Sequence, residues 1–245
     1  MARLLGMITR SPVDISLSIG HPQHVTFATH GWGIAWYDQA RKLHMQKGKR
    51  SAVTPRMNQS VQLQITTHLF IFHMRQATSG DVSERNTHPF SYKNVSFAHN
   101  GSVNKEKLSA LLHPPFNTNF QSEPIDSELY FRALLQGIAS TDPVEAVRQV
   151  TQMVNNPRGA NFLMADGEAL YGYRYGLPLY WTRWREERHF LAQTPVGLQL
   201  SSTQLSSQIA YIISSDKIIP ANWTAFDDGE LFVIRKNLQY DTYKF

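Results

Sequence analysis

Apolar and polar positions divide this chain into a strand-rich start, a helical middle and a strand-rich end. Ala2 to Thr9 concentrates Leu, Met and Ile in one short run, the mark of a buried strand. Ser11 followed by Pro12 resembles a helix entry, which predicts a short helix from Pro12 to Ile19. Gly31 to Tyr37 reads as a strand whose glycines admit a second backbone, with Leu43 to Gln46 as its hairpin partner. A helix interrupted by Pro55 is expected over Ser51 to Leu63. Thr66 to Met74 is dense in β-branched and aromatic residues and predicts a long strand. Val95 to His99 is another, closing at the turn signal Asn100-Gly101.

The middle third changes period. Asn104 opens a short helix through Leu112, and a Pro/Asn-rich loop fills His113 to Pro124. From Asp126 to Ile138, Leu129, Phe131, Leu134, Leu135 and Ile138 recur at near-helical spacing. Asp142-Pro143 starts a second long helix, with Val144, Val147, Val150 and Val154 on one side. Beyond Gly159 the pattern is β again. Asp166-Gly167 joins two short strands as a hairpin. Further strands are expected at Leu179–Trp184, His189–Gln193, Ile209–Ser214 and Glu230–Arg235, with an edge strand at Tyr240–Phe245. Strands, then adjacent helices, then strands is no βαβ alternation. It predicts an α+β fold, helices packed on antiparallel sheets, in a single domain over 1–245.

Composition narrows the function classes. The chain has 245 residues and a formal charge of +5, with basic residues scattered. Lys47-Gly48-Lys49-Arg50 is the densest basic run, too short for the basic stripe of a nucleic-acid binder. The longest apolar runs, such as Ile209 to Ile213, fall far below the roughly 18 residues of a membrane span. No basic segment leads into an apolar core at the start, so neither a signal peptide nor a membrane partner is expected, and a cytoplasmic location follows. There is no cysteine, so thiolate catalysis and Cys-ligated metals are excluded for this sequence. The ten histidines form no His-Glu-x-x-His pattern, and His68 and His73 fall on opposite faces of a strand, so no metal or other cofactor is expected. No serine occupies a Gly-x-Ser-x-Gly elbow.

Four segments carry candidate chemistry. His73-Met74-Arg75-Gln76-Ala77-Thr78 ends a strand with a guanidinium suited to a carboxylate. Asn86-Thr87-His88-Pro89 and His99-Asn100-Gly101 follow. The side-chain amide of Asn100 and the N–H of Gly101 are suitable oxyanion donors. Asp126 could receive an ammonium. Taken singly, each has a plainer alternative: an Asn-Gly turn, a surface arginine, an Asp N-cap with Glu123 and Glu128 as loop and helix-start charges.

Their order together with the opening Ala2-Arg3-Leu4-Leu5-Gly6-Met7 and Gly31-Trp32-Gly33 resembles the class II glutamine amidotransferases of the N-terminal nucleophile hydrolase superfamily. It is most similar to the small stand-alone members, strongly from Met1 to about Gly137 and more loosely beyond. The resemblance implies a four-layer αββα sandwich and a glutamine or γ-glutamyl substrate, with an ammonia-accepting synthase as a possible partner. By the same resemblance Arg75 would bind the substrate α-carboxylate and Asp126 its α-amine. Thr78 and His88 would line the pocket, and Asn100 and Gly101 would form the oxyanion hole.

Ala2 would occupy the nucleophile position. These enzymes attack with an N-terminal cysteine whose own α-amine takes the proton, and a methyl group cannot do that. The rest of the pocket is intact, which favours a replaced cysteine over a natural pseudoenzyme that binds glutamine or a γ-glutamyl ligand as a sensor or subunit. Two further departures are His30, where related members often have an acid before Gly-Trp-Gly, and the lack of a second domain to use ammonia.

Overall fold

A computed structural model describes residues 2–19, 30–48, 61–76, 81–120, 123–154, 158–194 and 197–245. The first half contains β1 (Arg3–Ile19), β2 (Gly31–Tyr37), β3 (Leu43–Gly48), β4 (Val61–Arg75), β5 (Phe90–Tyr92) and β6 (Val95–Gly101). Three helices follow: α1 (Lys105–Leu111), α2 (Asp126–Ile138) and α3 (Pro143–Val154). Then come β7 (Ala160–Ala165), β8 (Ala169–Arg174), β9 (Tyr180–Trp184), β10 (Phe190–Gln193) and β11 (Leu198–Ser202). After a 3-10 turn at Gln204–Ser207 the chain ends with β12 (Ala210–Ser214), β13 (Thr224–Ala225), β14 (Glu230–Arg235) and β15 (Tyr240–Lys244).

The strands form two antiparallel sheets. The larger runs β13-β9-β12-β1-β4-β2-β3, with β11 paired to the far half of β1 and β10 to β11. The smaller runs β15-β14-β8-β7-β6-β5, so the expected edge strand at the C-terminal end is present. Leu4, Ile8, Leu69 and Ile71 of the larger sheet meet Leu163, Leu170 and Phe232 of the smaller in one buried layer. Each such side chain contributes about 1.5–3 kcal/mol by leaving water. The helices cover the other face of the smaller sheet. Phe131 of α2 stacks on Phe97 of β6 at 5.2 Å, and Leu129, Leu134 and Val147 join the same cluster. The result is the α+β packing of helices on antiparallel sheets that the order of elements predicted, in the sandwich form that the family resemblance implied.

One expected helix is corrected and another falls mostly outside the described residues. Pro12 to Ile19 continues β1 across an irregularity between Ile8 and Val13, and Val13, Ile15, Leu17 and Ile19 pair with β4. Their burial alternates with that of Asp14, Ser16 and Ser18, a period of two that outweighs the Ser-Pro helix signal. Of the helix expected at 51–63, residues 51–60 lie outside the described residues and 61–63 begin β4. The far halves of β1 and β4, with β10 and β11, share one apolar cluster with Met7, Phe70 and Ile212 of the larger sheet.

Antiparallel pairing brings three strand ends to one place. β1 starts where β4 finishes, with Arg3 opposite Met74. β6 also finishes there, and α2 begins beside it, because the Oδ2 of Asp126 accepts the Val103 N–H at 3.1 Å. Among the described residues no helix is long and apolar enough to cross a membrane.

Candidate active site

At this end of the sandwich lies a cavity of about 330 Å³. Ala2, Arg75, His88, Asn100, Gly101 and Asp126 all line it. Six positions spread over more than a hundred residues of sequence thus converge. Thr78 lies outside the described residues.

Each side chain has a local reason for its place. Arg75 is the last residue of β4 and is only 3% exposed, so it is no surface arginine. One guanidinium nitrogen donates to the Asp81 carbonyl at 2.8 Å. Burial works against its charge, and the nearby Asp81 works for it. His88 reaches the cavity because its own backbone crosses β2 at Gly33, where an added Cβ would lie 2.3 Å from the His88 carbonyl oxygen. The glycine of Gly-Trp-Gly therefore admits a second backbone, as its position in a strand suggested.

Asn100 and Gly101 do not form a hairpin turn. They are the last two residues of β6 and pair with Asn161 and Ala160 of β7. Gly101 has φ +134°, and a Cβ there would fall 1.9 Å from the Gly159 carbonyl oxygen, a position only glycine fits. Asp126 is the first residue of α2, with Ile125 at the N-cap position. Its carboxylate is therefore not spent on capping, although the helix N-terminus favours its charge.

The Asn100 side chain ties the cavity to the start of the chain. Its amide nitrogen donates to the Ala2 carbonyl at 2.9 Å and more weakly to Ser215 Oγ at 3.4 Å. Its amide oxygen lies 2.9 Å from His73 Nε2. A carbonyl oxygen can only accept, so Nε2 must carry the proton. His73 is thus a neutral donor that fixes which way the Asn100 amide faces.

The sequence analysis missed His73 and His99 as site residues. Both line the cavity, as do Ser127 and Arg158. His99 Nδ1 lies 2.9 Å from Ser127 Oγ of α2. Burial pushes His73 down to about 3 and His99 to about 4. His88 is held well below the ordinary range by burial and by the positive potential of its neighbours. All three rings are neutral near pH 7. Their signal lay in the quoted motifs themselves, since each histidine flanks or sits within a segment singled out for another residue. Among the described residues no cluster of metal-ligating side chains occurs.

A first strand that delivers residue 2 into a cavity at the mouth of two facing antiparallel sheets defines an N-terminal nucleophile hydrolase architecture. The sequence profile of class-II glutamine amidotransferases matches residues 1–243. The chain belongs to the class-II glutamine amidotransferases. A putative glutamine amidotransferase of Escherichia coli is 25% identical over 95% of this chain and 100% of its own length. The crystal structure of a "predicted glutamine amidotransferase" from Pseudomonas aeruginosa superposes with a TM-score of 0.72 at 23% identity, covering 95% of this chain and 97% of that one. Glutamine phosphoribosylpyrophosphate amidotransferase of Bacillus subtilis superposes at 0.59 and 18% identity, covering 94% of this chain but 49% of that protein. At these identities the structural likeness is one of fold.

Proposed function

We propose that the cavity holds the amino-acid head group of glutamine or a γ-glutamyl amide, and that this chain binds such a ligand without cleaving it. Arg75 pairs with the α-carboxylate and Asp126 with the α-ammonium. His88 completes the pocket wall. The amide carbonyl of the ligand faces the Asn100 side chain and the Gly101 N–H, and its carbon faces residue 2. The single observation carrying this reading is the 2.9 Å hydrogen bond from Asn100 to the Ala2 backbone. It sets the oxyanion donor beside the residue from which attack would come, in the same cavity as a buried arginine and the aspartate that opens α2.

Cysteine at position 2 would supply the missing step. Its sulfur would attack the γ-carbonyl and the α-amine, once Met1 is removed, would take the thiol proton. Asn100 and Gly101 would stabilise the resulting oxyanion. Ammonia or an amine would leave with that proton, and water would release glutamate from the thioester. The intact pocket favours a replaced cysteine over long-standing loss. In an active form the ammonia would pass to an acceptor, held by a cytoplasmic synthase partner.

Two measurements test this. Calorimetry with L-glutamine on the Ala2 protein is expected to show one site. The Ala2→Cys variant is expected to release ammonia and glutamate from glutamine, or glutamate from a γ-glutamyl amide. Binding to the Ala2 form with no turnover by the cysteine variant supports a sensor. No binding to either form overturns the head-group assignment.

A further inference from the structure

A second cavity, also of about 330 Å³, adjoins the first. Asn100 and Leu177 line both. The two cavities therefore meet at the side chain that faces the scissile amide in the reading above. The remaining lining of the second cavity comes from the start of β1 and the segment after β12, Arg3, Ser215, Asp216 and Lys217, with Pro178 and Tyr180 of the β9 side.

This lining is tied to the same atoms that place residue 2. Ser215 Oγ accepts the Leu4 N–H at 3.1 Å, and the Ser215 N–H donates to the Leu4 carbonyl at 3.0 Å. Arg3 and Asp216 form an ion pair at 2.6 Å, each side chain about one-fifth exposed. Lys217 sits over the Tyr180 ring, 5.1 Å from its centroid. Two cations and one carboxylate leave the cavity net positive. Asp216 is neutralised by Arg3, so the excess charge available to a ligand is positive and centred near Lys217.

An amide whose carbonyl points at Asn100 carries its nitrogen substituent away from the head group. For glutamine that substituent is hydrogen, and a cavity of this size beyond Asn100 has no use. We infer that the second cavity receives the amine half of a γ-glutamyl amide in which that half bears a carboxylate, an amino acid or short peptide. The inference rests on the head-group reading of the first cavity and narrows its substrate class. Lys217 attracts the carboxylate, and the Arg3–Asp216 pair holds the guanidinium in place beside it.

The protein as it stands suits the test, because Ala2 cannot consume the ligand. Calorimetry would compare L-glutamine, γ-L-glutamylethylamide and γ-L-glutamylglycine. The ethylamide matches the dipeptide in reach and lacks its charge. The dipeptide is expected to bind at least tenfold tighter than glutamine, and the ethylamide within about threefold of glutamine. Lys217→Ala is expected to weaken the dipeptide about tenfold and leave glutamine unchanged, with Lys217→Arg retaining most of the gain. A dipeptide no tighter than glutamine overturns the inference while leaving the head-group reading in place. So does an ethylamide that gains as much as the dipeptide, or a Lys217→Ala effect equal on both ligands. Failure of glutamine and both conjugates to bind overturns the head-group reading and this inference together.

Discussion

Acid should unfold this protein through the histidines of its cavity. His73, His88 and His99 are 1%, 5% and 2% exposed. In the folded chain burial holds His73 at about 3 and His99 at about 4, with His88 well below its ordinary value. In the unfolded chain each titrates near 6.5 (roughly). As pH falls through that value the unfolded state takes up protons that the folded state refuses, and stability drops; by about pH 8 the contribution is complete and level. Between pH 7 and pH 5 the loss is about 2 kcal/mol per ring, or about 6 kcal/mol for three. That rivals the whole stability of an ordinary domain, about 5–15 kcal/mol. The rings also oppose one another, since the His73 and His88 centroids are 4.4 Å apart. His68, pushed down by its own burial, acts in the same direction. Urea unfolding followed by tryptophan fluorescence from pH 8 to pH 5 reads the slope. It should flatten toward pH 8 and approach three protons, about 4 kcal/mol per pH unit, near pH 5.5. His88→Gln should lower that slope by about one proton. A slope of one proton or less across pH 5–6 in the unaltered chain would refute the assignment of three neutral buried rings.

Three other perturbations separate the roles assigned to the site. Arg75→Ala should weaken glutamine binding by about 3 kcal/mol, roughly a hundredfold, because a buried carboxylate partner would be left unpaired; calorimetry showing a change under twofold would remove Arg75 from the head-group site. Gly101→Ala should cost about 3 kcal/mol or more, since its Cβ would overlap a backbone oxygen that cannot swing aside. A thermal melt should fall by about 6–12 °C, and an unchanged midpoint would contradict the fit at Gly101. In the Ala2→Cys background, His73→Leu should lower kcat about tenfold or more with KM within about twofold, because the Asn100 amide would lose the donor that orients it. Equal loss in kcat/KM through KM alone would show His73 acting on binding instead.

Elements with one dominant pattern were legible in the chain. The apolar stripe of α2 and the Asp166-Gly167 hairpin fall where the sequence analysis put them. Asp142, expected to cap α3, does so by accepting the Val144 and Glu145 N–H groups. The segment Pro12–Ile19 was misread because a Ser-Pro pair is a local signal, whereas strand identity there is decided by partners fifty and nearly two hundred residues away. Ile15 pairs with Ile65, and Leu17 with both Leu63 and Leu200. The short strands β5 and β13 have too few residues to display a period, and only pairing defines them.

The site divides in the same way. Residue types that chemistry requires were visible one by one: a guanidinium, a carboxylate, an amide beside a glycine. Their plainer alternatives could be dismissed only in three dimensions. Arg75 is buried and not on the surface, Asn100 continues a strand and does not turn, and Asp126 serves Val103 and not its own helix end. His73 and His99 escaped notice for a physical reason. A lone histidine on a strand carries no information about what it will face, and His73 acquires its part only because β4 and β6, in different sheets, bring its ring to within 2.9 Å of Asn100. The orientation of the Asn100 amide is therefore a property of the sandwich as a whole. On the proposed reading, a thiol introduced at position 2 is necessary but not sufficient for turnover: the Asn100 amide must also keep its nitrogen toward residue 2, and that is set by a ring donating from the opposite sheet.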